Sequence, residues 1–141
     1  MSEAPLIIHA SCVAVNGAGL LILGPSGAGK SGLALQLMAF GAALVADDRT
    51  LLRRAGADII ADAPPQIAGR IEARGIGILN ATPYGPVRLR AIVDLAQPEG
   101  ERLPPLRTMA LLDKEIPLIY KGEGPYFAAA LMQYLKGDRS A

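Results

Sequence analysis

Leu20-Leu-Ile-Leu-Gly24-Pro25-Ser26-Gly27-Ala28-Gly29-Lys30-Ser31 decides how the rest of the chain is read, because four apolar residues run straight into a glycine-rich turn. The spacing of Gly24, Gly29, Lys30 and Ser31 fits G-x-x-x-x-G-K-[ST], in which glycines let successive backbone N–H groups turn inward around an anion. The whole turn, Gly24, Pro25, Ser26, Gly27, Ala28, Gly29, Lys30 and Ser31, is therefore the expected cradle for nucleotide phosphates. Lys30 adds a mobile positive charge, and the Ser31 hydroxyl offers a ligand to Mg²⁺. The context fits this reading. A buried-strand run precedes the turn, and the segment from Ser31 to Phe40 predicts a helix with Leu33, Leu37 and Phe40 on one face. The N-terminus of that helix adds partial positive charge where phosphates would sit.

Upstream, Ile7–Val15 is rich in β-formers, and Asn16-Gly17 is a two-residue hairpin signal leading into the strand before the turn. Downstream, Gly41 is a plausible C-cap, and Ala43–Ala46 is a short apolar strand ending in Asp47-Asp48. Leu51–Arg54, Gly56 and Asp58–Ala61 suggest another hairpin, stopped by Pro64-Pro65. Three further strands are expected at Ile71–Leu79, Val87–Val93 and Glu115–Tyr120, with a proline-marked loop at Gln97–Pro105. Helix returns at the end, where Pro125 suits a first turn, Tyr126, Ala129, Ala130, Met132 and Leu135 form an apolar stripe, and Lys136-Gly137 is the stop. P-loop kinases and GTPases alternate strand and helix throughout, and that alternation is missing here. The expected fold is α/β: a P-loop-containing mixed, largely antiparallel sheet flanked by a phosphate-loop helix and a C-terminal helix, in one domain spanning residues 1–141.

The totals narrow the function classes. Fourteen Lys and Arg against thirteen Asp and Glu, interspersed to a net charge of +1, give no basic face for nucleic acid. The single cysteine, Cys12, has no partner for an intramolecular disulfide and lies in an apolar run, which suits a reducing compartment and a buried small hydrophobe. There is no signal-peptide pattern and no apolar run of membrane-spanning length. A cytoplasmic protein, without membrane or nucleic-acid partners, is the expectation.

Asp47 and Asp48 stand one helix and one strand after Lys30, at a strand end, where open α/β sheets place their ligands. An adjacent acid pair there can divide two tasks, one carboxylate organising metal-bound water and the other accepting a proton from an attacking hydroxyl. A merely acidic turn is the competing explanation. Phosphoryl transfer also needs charge neutralisation around the transferred group. Glu72, Arg74, Arg102 and His9 are the remaining candidates, each of a residue type that is more often structural or solvated.

In these ordered blocks the sequence resembles the catalytic domain of HPr kinase/phosphorylase, the bacterial enzyme that phosphorylates a serine of the phosphocarrier protein HPr. His9 stands ahead of the turn as the family's histidine does, and Leu44-Val-Ala-Asp-Asp-Arg49 looks like its acid-pair motif. Ile71-Glu-Ala-Arg-Gly-Ile-Gly-Ile-Leu79 is similar to its Glu-x-Arg-Gly-x-Gly signature, and Glu101-Arg-Leu103 resembles its Asp-Arg-Leu turn. The acid pair and the glycine signature are far more specific than the phosphate turn.

The resemblance implies an ATP-dependent, Mg²⁺-assisted serine kinase acting on an HPr-like phosphocarrier protein of the phosphotransferase system. It implies Asp48 as the base with Asp47 beside it, Ser31 and Glu72 as Mg²⁺ ligands, Lys30 on the nucleotide phosphates, and His9 and Arg102 as catalytic supports. It also implies a ring-like homo-oligomer, a hexamer, and the 51% hydrophobic content leaves apolar surface that a partner subunit could cover. Gly75 and Gly77 would allow close backbone approach, with a simple strand bend as the other explanation. The expectation is a form without the N-terminal domain of the long enzymes, similar to the short forms of some proteobacteria, and Pro25 and Gly32 stand where acids often flank the loop. The segment tied to dephosphorylation is replaced by Ile116–Gly124, which has no arginine, so the resemblance does not extend to phosphorylase activity. Lys121 there is a point charge, not a bidentate phosphate clamp. The alternatives are a small-molecule P-loop kinase and a nucleotide-binding sensor with little transferase activity.

Overall fold

The computed structural model describes residues 4–141, so the first three residues of the expected 1–141 unit lie outside it. The strands are β1 (Leu6–Ile8), β2 (Ala10–Val15), β3 (Ala18–Leu23), β4 (Ala43–Ala46), β5 (Thr50–Ala55) and β6 (Asp58–Asp62), then β7 (Arg70–Ala73), β8 (Gly77–Asn80), β9 (Val87–Pro98), β10 (Arg107–Leu111) and β11 (Lys114–Lys121). Helix α1 (Lys30–Ala39) follows β3, and α2 (Phe127–Gly137) closes the chain. The main sheet runs β1-β5-β6-β9-β3-β2-β4, with β11 pairing both β9 and β10, while β7 and β8 form a separate ribbon. In the main sheet the β3–β9 and β9–β11 pairings are parallel and the others described are antiparallel. The fold is thus a mixed α/β one, a curled sheet with two helices.

The Asn16-Gly17 turn forms as the sequence predicts: both residues take positive φ, 52° and 78°, which is what a two-residue turn needs to match the twist of β2 and β3. These two central strands bury both faces, so they read as near-continuous apolar runs. Val13, Leu20 and Ile22 pack against Leu33, Ala34 and Leu37 of α1 and Leu131, Met132 and Leu135 of α2. Cys12, Ala14 and Leu21 point the opposite way, into a second cluster with Leu52, Ile59, Ile92 and Ile116. Burial pushes the Cys12 thiol up to about 12, so it behaves as a small hydrophobe. In β9 a register shift opposite Gly19/Leu20 leaves one extra residue. Val87 and Leu89 before it face the second cluster, whereas Ala91 and Val93 after it face the helices, as a one-residue bulge requires.

Several local expectations need correction. The chain from Ile7 to Val15 is two strands interrupted at His9, because β1 leaves β2 to pair with β5. Phe40 is 56% exposed, since it is the residue at which α1 ends and its backbone has already left helical geometry. In α2 the buried stripe is Ala128, Leu131, Met132 and Leu135; the helix starts at Phe127, which turns Tyr126, Ala129 and Ala130 outward and leaves Pro125 ahead of the first turn. Ile71–Leu79 is no single strand but the β7–β8 ribbon, folded back at a turn in which the Ile76 amide donates to the Ala73 carbonyl. Strand β9 continues through Gln97-Pro98 into the expected loop. Strand β10 was not foreseen, because its turn to β11 is made by Leu112 and Asp113 at positive φ, with no glycine to announce it. Among the described residues no helix is long and apolar enough to cross a membrane.

Candidate functional site

Helix α1 begins directly after the glycine-rich turn, and its N-cap, Gly29, takes a left-handed φ of 98° with no side chain capping the first turn. The first-turn amides are thus left for an external acceptor. Lys30 is only 7% exposed, and its Nζ donates to the carbonyls of Gly24 (2.8 Å) and Pro25 (3.3 Å), so the ammonium is held across the turn. Gly24 is sterically fixed: a Cβ there would lie 2.9 Å from the Ala28 Cβ and 3.3 Å from the Leu95 Cβ. Gly24→Ala should therefore strain the turn against the end of β9 by about 1.4 kcal/mol, read as a Tm about 4 °C lower in thermal unfolding.

The acid pair divides into a buried member and an exposed one. Asp47 is 9% exposed. Its Oδ1 accepts from the Ser31 hydroxyl (2.7 Å) and the Ser11 hydroxyl (2.9 Å), and its Oδ2 accepts from the Glu72 amide (3.0 Å). One carboxylate thereby joins the start of α1, strand β2 and the β7–β8 ribbon. Asp48 sits at φ 69°, and its Oδ1 meets His9 Nε2 at 2.5 Å. A carboxylate accepts, so Nε2 is the donor. The Asp48 side chain is 58% exposed, open to a reactant at the cavity.

A cavity of about 350 Å³ opens here, lined by Ser26, Gly27, Gly29, Lys30, Ser31 and Gly32 of the turn and helix, and by Leu35, Asp48, Glu72 and Arg74. It thus collects most of the residues expected from the sequence. Asp47 lies just behind its wall, and His9 reaches it through Asp48. Arg102 is exposed in the loop after β9 and does not line the cavity. Arg74 does, as a loop candidate of the sequence. Ser11 was missed, although it is the one hydroxyl in an otherwise apolar strand, and that oddity is the signal that could have found it.

For a metal, the donors at hand are the Ser31 hydroxyl and the Glu72 carboxylate, all oxygen, as Mg²⁺ prefers. Among the described residues no group of three or more His, Cys, Asp or Glu could hold a metal on its own.

The sequence model described as HPr Serine kinase C-terminal domain matches residues 3–95. A protein named HPr kinase/phosphorylase from Caldanaerobacter subterraneus subsp. tengcongensis is 48% identical over 82 residues, covering 57% of this chain and 27% of that protein. One of the same name from Exiguobacterium sp. is 35% identical over 133 residues, covering 84% of this chain and 43% of that protein. The chain therefore spans less than half the length of these curated relatives. The solved structure of the Hpr(Ser) kinase/phosphatase from Coxiella burnetii superposes with a TM-score of 0.80 at 25% identity, covering 93% of this chain and 94% of that one.

Proposed function

We propose that this chain, which belongs to the HPr serine kinase C-terminal domain family, transfers phosphate from ATP to a serine hydroxyl of an HPr-like phosphocarrier protein. The observation that carries the reading is the exposed carboxylate of Asp48, hydrogen-bonded to His9, in the lining of a cavity that the glycine-rich turn also lines. A serine hydroxyl is a weak nucleophile, so transfer needs a base within hydrogen-bond reach as the bond to phosphorus forms. Asp48 takes the hydroxyl proton, the serine oxygen bonds to the γ-phosphorus, and the bond from phosphorus to the bridging oxygen of ADP breaks.

The turn from Gly24 to Ser31 binds the nucleotide phosphates through its inward amides, and Lys30 swings from its two carbonyls onto them. Ser31 and Glu72 would hold Mg²⁺, which when bound neutralises charge on the phosphates. Asp47 keeps the Ser31 hydroxyl and the Glu72 backbone in place. Arg74 stands in the same cavity as a further cation for the transferred group. Arg102 would act as a catalytic support only if its loop reaches the bound carrier or a neighbouring subunit. The reading is confined to the forward direction, because Ile116–Gly124 offers only Lys121 as a cation. A cytoplasmic, hexameric assembly belongs to the same proposal.

The test is direct: incubation with ATP, Mg²⁺ and an HPr-like carrier should yield the carrier phosphorylated on serine, seen by mass spectrometry. ATP binding without phosphate on any carrier overturns the reading in favour of a nucleotide sensor.

A further inference from the structure

Ser11 is wholly buried in β2, and its hydroxyl is engaged both as donor and as acceptor. Its Oγ donates to Asp47 Oδ1 at 2.9 Å and accepts from the Asp48 backbone amide at 3.1 Å. Both members of the acid pair are thus tied to one hydroxyl. The second tie matters because Asp48 is held at φ 69°, a left-handed conformation that non-glycine residues adopt only where something outweighs its cost. That conformation turns the chain out of β4 and presents the Asp48 carboxylate to His9 and the cavity. His9, one residue before β2, and Ser11, within it, therefore grip Asp48 from both ends, the ring on the carboxylate and the hydroxyl on the amide.

We propose that Ser11 is a positioning residue: it locks the backbone of Asp48 in the left-handed conformation that aims its carboxylate at the reacting hydroxyl. This rests on the reading of Asp48 as the base. Nucleotide binding should change little, because Ser11 shares no hydrogen bond with Lys30 and reaches the turn only through Asp47, whose bonds to Ser31 and the Glu72 amide are separate ones.

The test uses Ser11→Ala and Ser11→Cys, which remove the strong hydroxyl bonds, beside Ser11→Thr, which keeps them. The expected result is a kcat for carrier phosphorylation about tenfold lower in the Ala and Cys variants, the rate equivalent of one hydrogen bond to an ionised group or its neighbour. The KM for ATP stays unchanged, and the Thr variant recovers most of the rate. A second readout needs no transfer. The chain has a single histidine, so its ring resonances assign themselves. In the Ala and Cys variants the His9 ring signals should move toward those of a free imidazole, and the Asp48 amide should exchange faster with solvent. Unchanged kcat, or unchanged His9 signals and Asp48 exchange, overturns the assignment. If the wild-type protein phosphorylates no carrier, the kinase reading fails while the resonance data still decide whether Ser11 fixes Asp48.

Discussion

Asp48→Asn is expected to lower phosphate transfer to the carrier about a thousandfold, within the range for loss of a positioned general base. The substitution is unusually clean. Asparagine tolerates the left-handed backbone about as well as aspartate, so φ 69° at this position is kept. Its amide oxygen still accepts from His9 Nε2, and its backbone N–H still donates to Ser11. What disappears is the ability to take a proton. ATP affinity should stay within about twofold of wild type, because the change removes no hydrogen bond of the glycine-rich turn and costs well under 1.4 kcal/mol there. Single-turnover transfer from labelled ATP, alongside equilibrium nucleotide binding, separates the two effects. Transfer within tenfold of wild type would show that another group accepts the proton.

How much of this was legible beforehand depends on sequence distance. The strand, turn and helix from Leu20 to Ala39 announce themselves because every interaction that makes them is local: apolar runs, glycines and the 3.6-residue period. The acid pair was readable for the same reason, as two carboxylates at the end of a short apolar strand. Pairings across long separations were not. The Asn16-Gly17 turn announces β3 on one side of β2, but nothing near Ala10–Val15 says that β4 will pair on the other, so nothing says that Ser11 will meet Asp47. Nor does the pattern of Ile71–Leu79 say that it folds back on itself; only the turn geometry around Gly75 decides that. Arg102 is the opposite case. A motif groups it with the site, whereas it lies in the loop after β9 and is not among the residues that line the cavity. Motifs name residue types in order along the chain, while the sheet order decides which of them share a wall.

Asp47→Ala should produce the largest stability change of any single substitution at the site, because this carboxylate is where three separate elements meet. Removing it leaves the Ser11 hydroxyl, the Ser31 hydroxyl and the Glu72 amide without their acceptor. Three hydrogen bonds to one ionised carboxylate are lost, of which only the Ser11 donor is wholly buried and the other two are part-buried, so the combined loss is about 3 kcal/mol. For a domain of this size that corresponds to roughly 10 °C in Tm. Among the described residues no buried side-chain nitrogen or oxygen lacks a partner in the native structure, so the variant introduces a defect the fold otherwise avoids. Transfer activity should fall as well, since the Ser31 hydroxyl and the β7 backbone behind Glu72 both lose their anchor. The comparison with Asp48→Asn makes the prediction sharp. The exposed acid should cost activity with Tm nearly unchanged, and the buried acid should cost both. Thermal unfolding of the two variants side by side tests this; equal Tm values would mean that the junction at Asp47 does not hold β2, α1 and the ribbon together.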